Sequence, residues 1–156
     1  MIEIGLLYKK GYFLQKFDSE GRQRANFFEY IFENLPIKPV EVNEHDFFIK
    51  VELSGREVHL KVWQVKIGRM RVYLLDSDED ANSPQDRELT TQLFGENHET
   101  RIQQEKMLGV GGIRMLRVLD MHPQGYHINE GHAAFISIER MREYVYQGIR
   151  FMGICW

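Results

Sequence analysis

The clearest periodic signal lies between residues 47 and 76. Phe47, Ile49, Val51 and Leu53 alternate with Phe48, Lys50 and Glu52, and Val58, Leu60 and Val62 alternate with Glu57, His59 and Lys61. Such alternation puts one set of side chains on each face of a half-buried strand. Ser54-Gly55-Arg56 and Gly68-Arg69 supply turns, so the pattern predicts a three-stranded antiparallel meander that ends near Asp76. After Val62 the apolar set slips by one position, to Trp63, Val65 and Ile67. A one-residue slip moves side chains to the opposite face, which predicts a bulge near Val62-Trp63. Earlier in the chain, Ile2 to Tyr8 and Tyr12 to Phe17 read as a hairpin about Lys9-Lys10-Gly11, closed by turn chemistry at Asp18-Ser19-Glu20-Gly21. Phe27, Phe28, Tyr30, Ile31 and Phe32 form an aromatic cluster of one or two helical turns, and Pro36 and Pro39 keep Ile37 to Val42 extended.

Beyond the acidic loop Asp76 to Gln85 the period becomes helical. One helix is predicted from about Asp86 to Phe94, with a break from Gly95 to His98. A longer one follows from about Glu99 to Leu119, with Leu108, Gly112, Met115 and Leu119 on one stripe. Tyr126-His127-Ile128 reads as a short strand after Pro123 and Gly125. A last helix spans Ala133 to Gln147, with Ala134, Ile138, Met141, Val145 and Ile149 at helical spacing. The order is antiparallel β first, then α-β-α. No repeat or linker divides it, so the fold class is α/β in a single unit, residues 1–76 mainly β and 86–150 α-β-α.

Composition narrows the partners. The 20 Lys+Arg against 23 Asp+Glu give a formal charge of −3, which argues against nucleic-acid binding through a basic surface. No apolar run approaches the ~20 residues a membrane span needs. The lysines at the N-terminus follow the apolar stretch, the reverse of a signal peptide. The one cysteine, Cys155, excludes an internal disulfide and a cysteine zinc cluster. These features lead to the expectation of a soluble, cytoplasmic chain with no nucleic-acid or membrane partner.

Three stretches invite chemistry. Asp76-Ser77-Asp78-Glu79-Asp80 begins like a calcium loop, but Ala81 and Arg87 stand where such a loop needs Gly and Glu. Gly109-Val110-Gly111-Gly112 falls short of a dinucleotide fingerprint, because position 114 is Arg and helix precedes it. Three interior glycines weaken a helix by about 3 kcal/mol against alanine, which is tolerable where another element packs directly on that backbone. The third stretch is His127-Ile128-Asn129-Glu130-Gly131-His132. Its spacing is not that of the helical zinc-protease motif, so no metal is assigned. Polar residues between a strand end and a helix start occupy the place where open α/β sheets bind ligands. Asn129, Glu130 and His132 offer an amide, a carboxylate and an imidazole to sugar hydroxyls. Equally, Asn129 and Glu130 can cap the following helix.

The stretch from His127 through Ala133-Ala134-Phe135 resembles a segment of the α-glucan (glycogen, starch, maltodextrin) phosphorylases, most closely the bacterial and archaeal "LNEGHAAF" pattern. Other segments follow in family order. Gly5-Leu6-Leu7-Tyr8 with Gly11-Tyr12-Phe13 and Gln15 is similar to "GLLYRxGYFxQ", and Tyr73 to Asp78 is similar to "YLLDTD". Asn82-Ser83-Pro84, Asp86-Arg87, Leu93-Phe94-Gly95, Arg101 to Glu105 and Leu108 to Gly112 complete the set, so the likeness spans residues 2–148.

The resemblance implies a partial Rossmann-like N-terminal domain of a B-type glycosyltransferase fold. It implies a family reaction in which inorganic phosphate cleaves a terminal α-1,4-glucosyl unit to give glucose-1-phosphate, with pyridoxal phosphate on a lysine of the C-terminal domain. Carried over to this chain, Asn129, Glu130 and His132 are substrate-binding residues beside the glucosyl site, and no catalytic or metal-binding residue is transferred. The family's glycine-rich loop, its Thr-His-Thr-Pro motif and its cofactor lysine domain have no counterpart here. The chain is therefore expected to bind no pyridoxal phosphate and to be inactive alone. Met152-Gly153-Ile154-Cys155-Trp156 does not continue the family pattern, and residues 152–156 are read as an atypical tail of the kind a frameshift or truncation leaves. The alternatives are a non-catalytic module that binds glucan or maltooligosaccharide, and a subunit assembled with a complementing chain or as a homo-oligomer.

Overall fold

A computed structural model of the chain describes residues 1–11, 14–26, 28–42, 45–93 and 97–148. Tyr12, Phe13, Phe27, Phe94, Gly95 and Ile149, on which parts of the expected hairpin, aromatic cluster and helices rest, lie outside the described residues, as does the tail with Cys155. The strands in chain order are β1 (Ile2–Leu6), β2 (Leu14–Phe17), β3 (Gln23–Asn26), β4 (Lys38–Pro39), β5 (Glu41–Val42), β6 (His45–Asp46), β7 (Phe48–Leu53), β8 (Arg56–Ile67) and β9 (Met70–Asp76). The α-helices are α1 (Pro84–Arg87), α2 (His98–Lys106), α3 (Gly112–Val118) and α4 (Phe135–Tyr146).

The meander forms as its alternation dictates. β8 is the spine of a mixed sheet, with β9 antiparallel along one edge from Lys61↔Asp76 to Ile67↔Met70. The other edge takes β7, from Phe48↔Lys61 to Leu53↔Arg56, and further along the two residues of β4. β1 then lies parallel to β9, from Ile2↔Arg71 to Leu6↔Leu75. Val51, Leu53, Val58, Leu60, Val62 and Leu75 pack with Met107, Ile113 and Met115 of the helical layer, each no more than 1% exposed.

Two β expectations need correction. β1 and β2 do not form a hairpin. Leu6 and Leu7 are buried beside β9, whereas β2 is exposed throughout and gains nothing from joining that sheet. β2 instead pairs with β3 across Asp18 to Gly21, where the Asp18 carboxylate accepts the amides of Glu20 and Arg22 at 3.0 and 2.9 Å. Nor is there a bulge at Val62-Trp63, since the register with β9 is unbroken. The apolar phase slips because the second face of β8 is also covered. Trp63 packs on Phe32 with centroids 6.0 Å apart, and its indole N–H donates to Asp76 Oδ2 at 3.2 Å.

The helix expected over 86–94 starts earlier and ends sooner. Ser83 Oγ accepts the Asp86 amide at 3.2 Å and Pro84 occupies the first turn, which sets the start of α1. A 3₁₀ turn, Glu88–Thr90, follows. The Gln104 side-chain amide then donates to the carbonyls of Leu89 and Gln92 at 2.8 Å each, holding that backbone outside a helix. The long helix runs His98–Val118, but Met107–Gly111 is a π-helical turn between α2 and α3. Its glycines allow close packing, as the sequence predicts. A Cβ on Gly109 would lie 2.8 Å from the Ile136 backbone nitrogen, and one on Gly111 would lie 3.0 Å from Leu60 Cδ1.

Of the apolar positions at helical spacing in α4, Ala134, Ile138 and Val145 face outward, with Ile138 and Val145 each 55% exposed, while Met141 is half-buried. Charge decides the orientation. Buried Glu139 accepts from Arg114 Nε at 2.9 Å and from Arg142, while Glu143 accepts from Arg117 Nε at 2.8 Å and from Arg140. These pairs clamp α4 to α3 through its acidic face.

Candidate functional site

Tyr126-His127-Ile128 does not form a strand, because no partner strand runs beside it among the described residues. The segment continues into a turn, with Glu130 in the left-handed region at φ 53 and Ala134 N donating to Gly131 O at 3.0 Å. α4 has Ala134 as its N-cap and no side-chain cap bond, so Asn129 and Glu130 do not cap it.

What the segment does is wall a cavity of about 780 Å³. Ile4, Leu108, Ile113, Leu116 and Ile136 make its apolar side, and Glu3, Tyr126, His127, Asn129 and His132 supply polar groups. An apolar cavity with a few convergent polar groups is the usual form of a small-ligand site. Two of the three expected site residues, Asn129 and His132, therefore share one wall. Glu130 stands outside the lining, but its Oε2 lies 3.3 Å from His132 Nε2. On the other side of the ring, His132 Nδ1 is 3.8 Å from Glu105 Oε1. The imidazole thus has a carboxylate near each nitrogen, an arrangement that fixes the ring and leaves its hydrogen-bonding role to the tautomer. Glu105 is half-buried and also accepts from Arg101 Nε at 3.1 Å. It is the member of the site that spacing does not reveal, because it arrives from α2, far from Glu130 in sequence.

The cavity is lined by Met1, Ile2 and Met70 at the amino-terminal end of the parallel pair, and not by residues of the carboxyl end that the general rule for α/β sheets favours. The carboxyl end carries its own ion pairs. Asp78 accepts from Arg87 Nε at 2.7 Å and pairs with Lys9 at 3.4 Å, and Asp80 accepts from Arg87 at 2.8 Å. Burial raises the Asp78 carboxyl, but Arg87 and Lys9 outweigh it and hold the pKa below the ordinary value. Asp76, 3% exposed, accepts from the Asp78 amide, the Thr90 hydroxyl and the Trp63 indole, and its burial pushes its pKa up. Among the described residues no group of three or more His, Cys, Asp or Glu is placed to hold a metal, and no helix is long and apolar enough to cross a membrane.

With this geometry in view, the comparisons with known proteins converge on one family. The chain is 42% identical to the maltodextrin phosphorylase of Thermococcus litoralis over 153 residues, which cover 97% of this chain and 18% of that enzyme. It is 35% identical to the glycogen phosphorylase of Mycobacterium tuberculosis over 93% of its own length and 18% of that protein. It is 28% identical to the glycogen phosphorylase of Aquifex aeolicus, over 96% of this chain and 22% of that one. No family model matches the chain, and no solved structure does. Over nearly its whole length the chain is similar to maltodextrin and glycogen phosphorylases, of whose length it spans about a fifth.

Proposed function

We propose that the chain is the part of an α-1,4-glucan phosphorylase that lines the sugar side of the active cleft, with Asn129, Glu130 and His132 binding the terminal glucosyl unit. On this reading residues 1–156 are one partial domain, a Rossmann-like N-terminal half of a B-type glycosyltransferase fold. The observation that carries the proposal is the position of His132. It stands in the wall of the cavity beside Asn129, held between Glu130 and Glu105. Donors and acceptors on one wall and apolar side chains on the other suit the two faces of a hexose, whose ring carries hydroxyls at its rim and C–H groups on its faces.

The family's cofactor does not fit the described lining of this cavity. Pyridoxal phosphate needs a lysine amine and a basic phosphate cradle, and no lysine or arginine lines the cavity. No step is therefore assigned through it. The chain contributes binding and orientation, and the phosphorolysis of maltooligosaccharide belongs to the complete enzyme.

Maltoheptaose titrated into the chain and followed by amide and imidazole chemical shifts tests the reading. Shifts should concentrate on Asn129 to Ala133, and His132→Ala should weaken binding about tenfold, as loss of one hydrogen bond does. Unchanged affinity in His132→Ala and Glu130→Ala would sink the assignment. Incubation with maltoheptaose and inorganic phosphate should release no glucose-1-phosphate, and detectable release would disprove the reading of the chain as inactive alone.

A further inference from the structure

The two carboxylates that flank His132 are not equivalent. Glu105 stands on α2, whose start is fixed by Asn97 accepting the Thr100 amide at 2.8 Å and whose end is tied down by Gln104 and by fully buried Met107. One turn further on, the π turn crosses the start of α4 so closely that a Cβ on Gly109 would lie 2.8 Å from Phe135 Cβ. That crossing holds the end of α2 against the segment that carries His132. The Glu105 side chain is 20% exposed, and its Oε1 both accepts from Arg101 Nε at 3.1 Å and faces His132 Nδ1 at 3.8 Å. Glu130 is its opposite. It sits in a turn at φ 53, its side chain is 77% exposed, and its Oε2 meets the other ring nitrogen, Nε2, at 3.3 Å. One partner is built into the helical layer, and the other reaches in from solvent.

We propose that Glu105 is the positioning residue of His132 and that Glu130 is the partner a sugar hydroxyl replaces. Nδ1 then keeps its carboxylate in the free and the bound chain, and Nε2 exchanges a carboxylate for a hydroxyl. The Nδ1–Glu105 pair stands at ion-pair distance and closes to a hydrogen bond in the complex, as such contacts do when a ligand fills a site. A carboxylate can only accept, so the proton of the neutral ring sits on Nδ1 and Nε2 is left as the acceptor for the hydroxyl. Arg101 donates to the same oxygen that faces the ring, and so keeps an acceptor pointed at Nδ1. Glu130, released from the ring, turns to a second hydroxyl. This division of roles rests on the sugar-binding reading of Asn129, Glu130 and His132, and adds which nitrogen binds and which residue prepares it.

Long-range proton–nitrogen correlations of the His132 ring show which nitrogen carries the proton, at about pH 9 where an ordinary imidazole is neutral. With maltoheptaose bound, the ring of the parent chain should carry it on Nδ1. Glu105→Met removes the acceptor and keeps the length of the side chain. It should lose the Nδ1–H form and weaken maltoheptaose binding about tenfold. It should leave the thermal midpoint within about 4 °C, since the Arg101 pair is half-exposed and contributes little. Glu105→Gln keeps the oxygen, which Arg101 still orients, and should bind within about threefold of the parent with the proton still on Nδ1. A merely structural role for Glu105 would move the midpoint and not the proton.

A sugar-free arm separates these roles from the sugar site itself. In Glu130→Ala, where Nε2 has lost its carboxylate, the proton should sit on Nδ1 without maltoheptaose, and adding Glu105→Met should move it to Nε2. A proton that stays on Nε2 in Glu130→Ala would overturn the proposal. So would a maltoheptaose affinity that Glu105→Met leaves unchanged, and in either case sugar binding by the parent chain stands. Nδ1 protonation that depends on Glu105 in a chain that binds no maltoheptaose overturns the sugar reading and the exchange at Nε2, and upholds Glu105 as the anchor of the ring.

Discussion

Gly109 and Ile136 meet backbone to backbone: a Cβ on Gly109 would lie 2.8 Å from the Ile136 nitrogen, closer than real contacts allow. This is where the π turn crosses the start of α4. Because the obstacle is main chain, Gly109→Ala should cost about 3 kcal/mol, the upper end for overpacking. Gly112, three residues on, meets only the Ile4 side chain, Cγ2 at 3.4 Å and Cδ1 at 3.7 Å, ordinary contacts. Gly112→Ala should therefore stabilise by about 1 kcal/mol through helix propensity. Thermal melts read both signs, and a Gly109→Ala midpoint equal to the parent's would refute the close crossing.

The clamp between α3 and α4 makes stability depend on acid. Burial raises the carboxyls of Glu139 and Glu143, but Arg142 and Arg114 outweigh it at the first, and Arg117 and Arg140 at the second, so both folded pKa values lie below the ordinary 4.5. A carboxylate whose pKa is lowered by folding contributes stability that is fully present above its unfolded pKa and is lost as pH falls through the folded value. The parent should lose stability below about pH 4.5. Glu139→Gln should cost about 2 kcal/mol at pH 7, since it weakens the charged hydrogen bonds that Arg114 and Arg142 make to the buried carboxylate, and should flatten the acid limb of a denaturant-midpoint profile. An unchanged acid limb would count against the clamp.

Asp76 runs the other way. Its folded pKa is raised by burial, so its contribution is present at low pH and declines as pH rises above the ordinary 3.8 toward the raised value. The decline should begin as pH rises past about 4 and run through the raised value. In a Glu139→Gln/Glu143→Gln background, where the dominant acid effect is reduced, the midpoint should fall over that range as pH rises. Adding Asp76→Asn should remove the fall, even if the substitution lowers stability at every pH by disturbing the Trp63 and Thr90 hydrogen bonds.

Asn82 ties the acidic loop to β8. Its side chain accepts the His59 amide at 2.8 Å and donates to the His59 and Ser77 carbonyls at 2.7 and 2.8 Å, so it pairs with the strand as a neighbouring strand would. Asn82→Ala should destabilise by about 2 kcal/mol, because the His59 amide and carbonyl lose the side chain that pairs with them, while the Ser77 carbonyl keeps the Glu79 amide. Asn82→Asp keeps the acceptor and loses both donors, and should rescue no more than about 1 kcal/mol of that. Full rescue would show that the donors are idle.

The sequence makes the meander legible because one side of each strand is apolar and the turns are short. Long-range pairing leaves no such mark. Nothing in Ile2–Leu6 says that its partner is Met70–Asp76, so the nearest strand, β2, is the natural but wrong choice. The phase slip at Trp63 looks like a bulge because alternation cannot separate a kink from a strand with two covered faces. In α4 the apolar spacing of Ala134, Ile138 and Val145 is real, but ion pairs from Arg114 and Arg117 turn the acidic face inward. Within the site, Asn129 and His132 stand out in the sequence because they are close in the chain and chemically mixed. Glu105 does not, because only the crossing of α2 near the turn brings it to His132.

The π turn over Met107–Gly111 also sets the helical phase of everything after it. Each residue advances an α-helix by about 100°, so a turn that holds an extra residue rotates α3 against α2 by that amount. Deleting one residue there would give an unbroken α-helix with every backbone bond made. It would also swing Arg114 and Arg117 away from Glu139 and Glu143, and Ile113 away from the sheet. The irregular turn acts as a phase adjuster: it lets one helical run present Gln104 to a loop at one end and a basic face to α4 at the other. A deletion scan through these five residues should therefore harm packing more than it helps helicity.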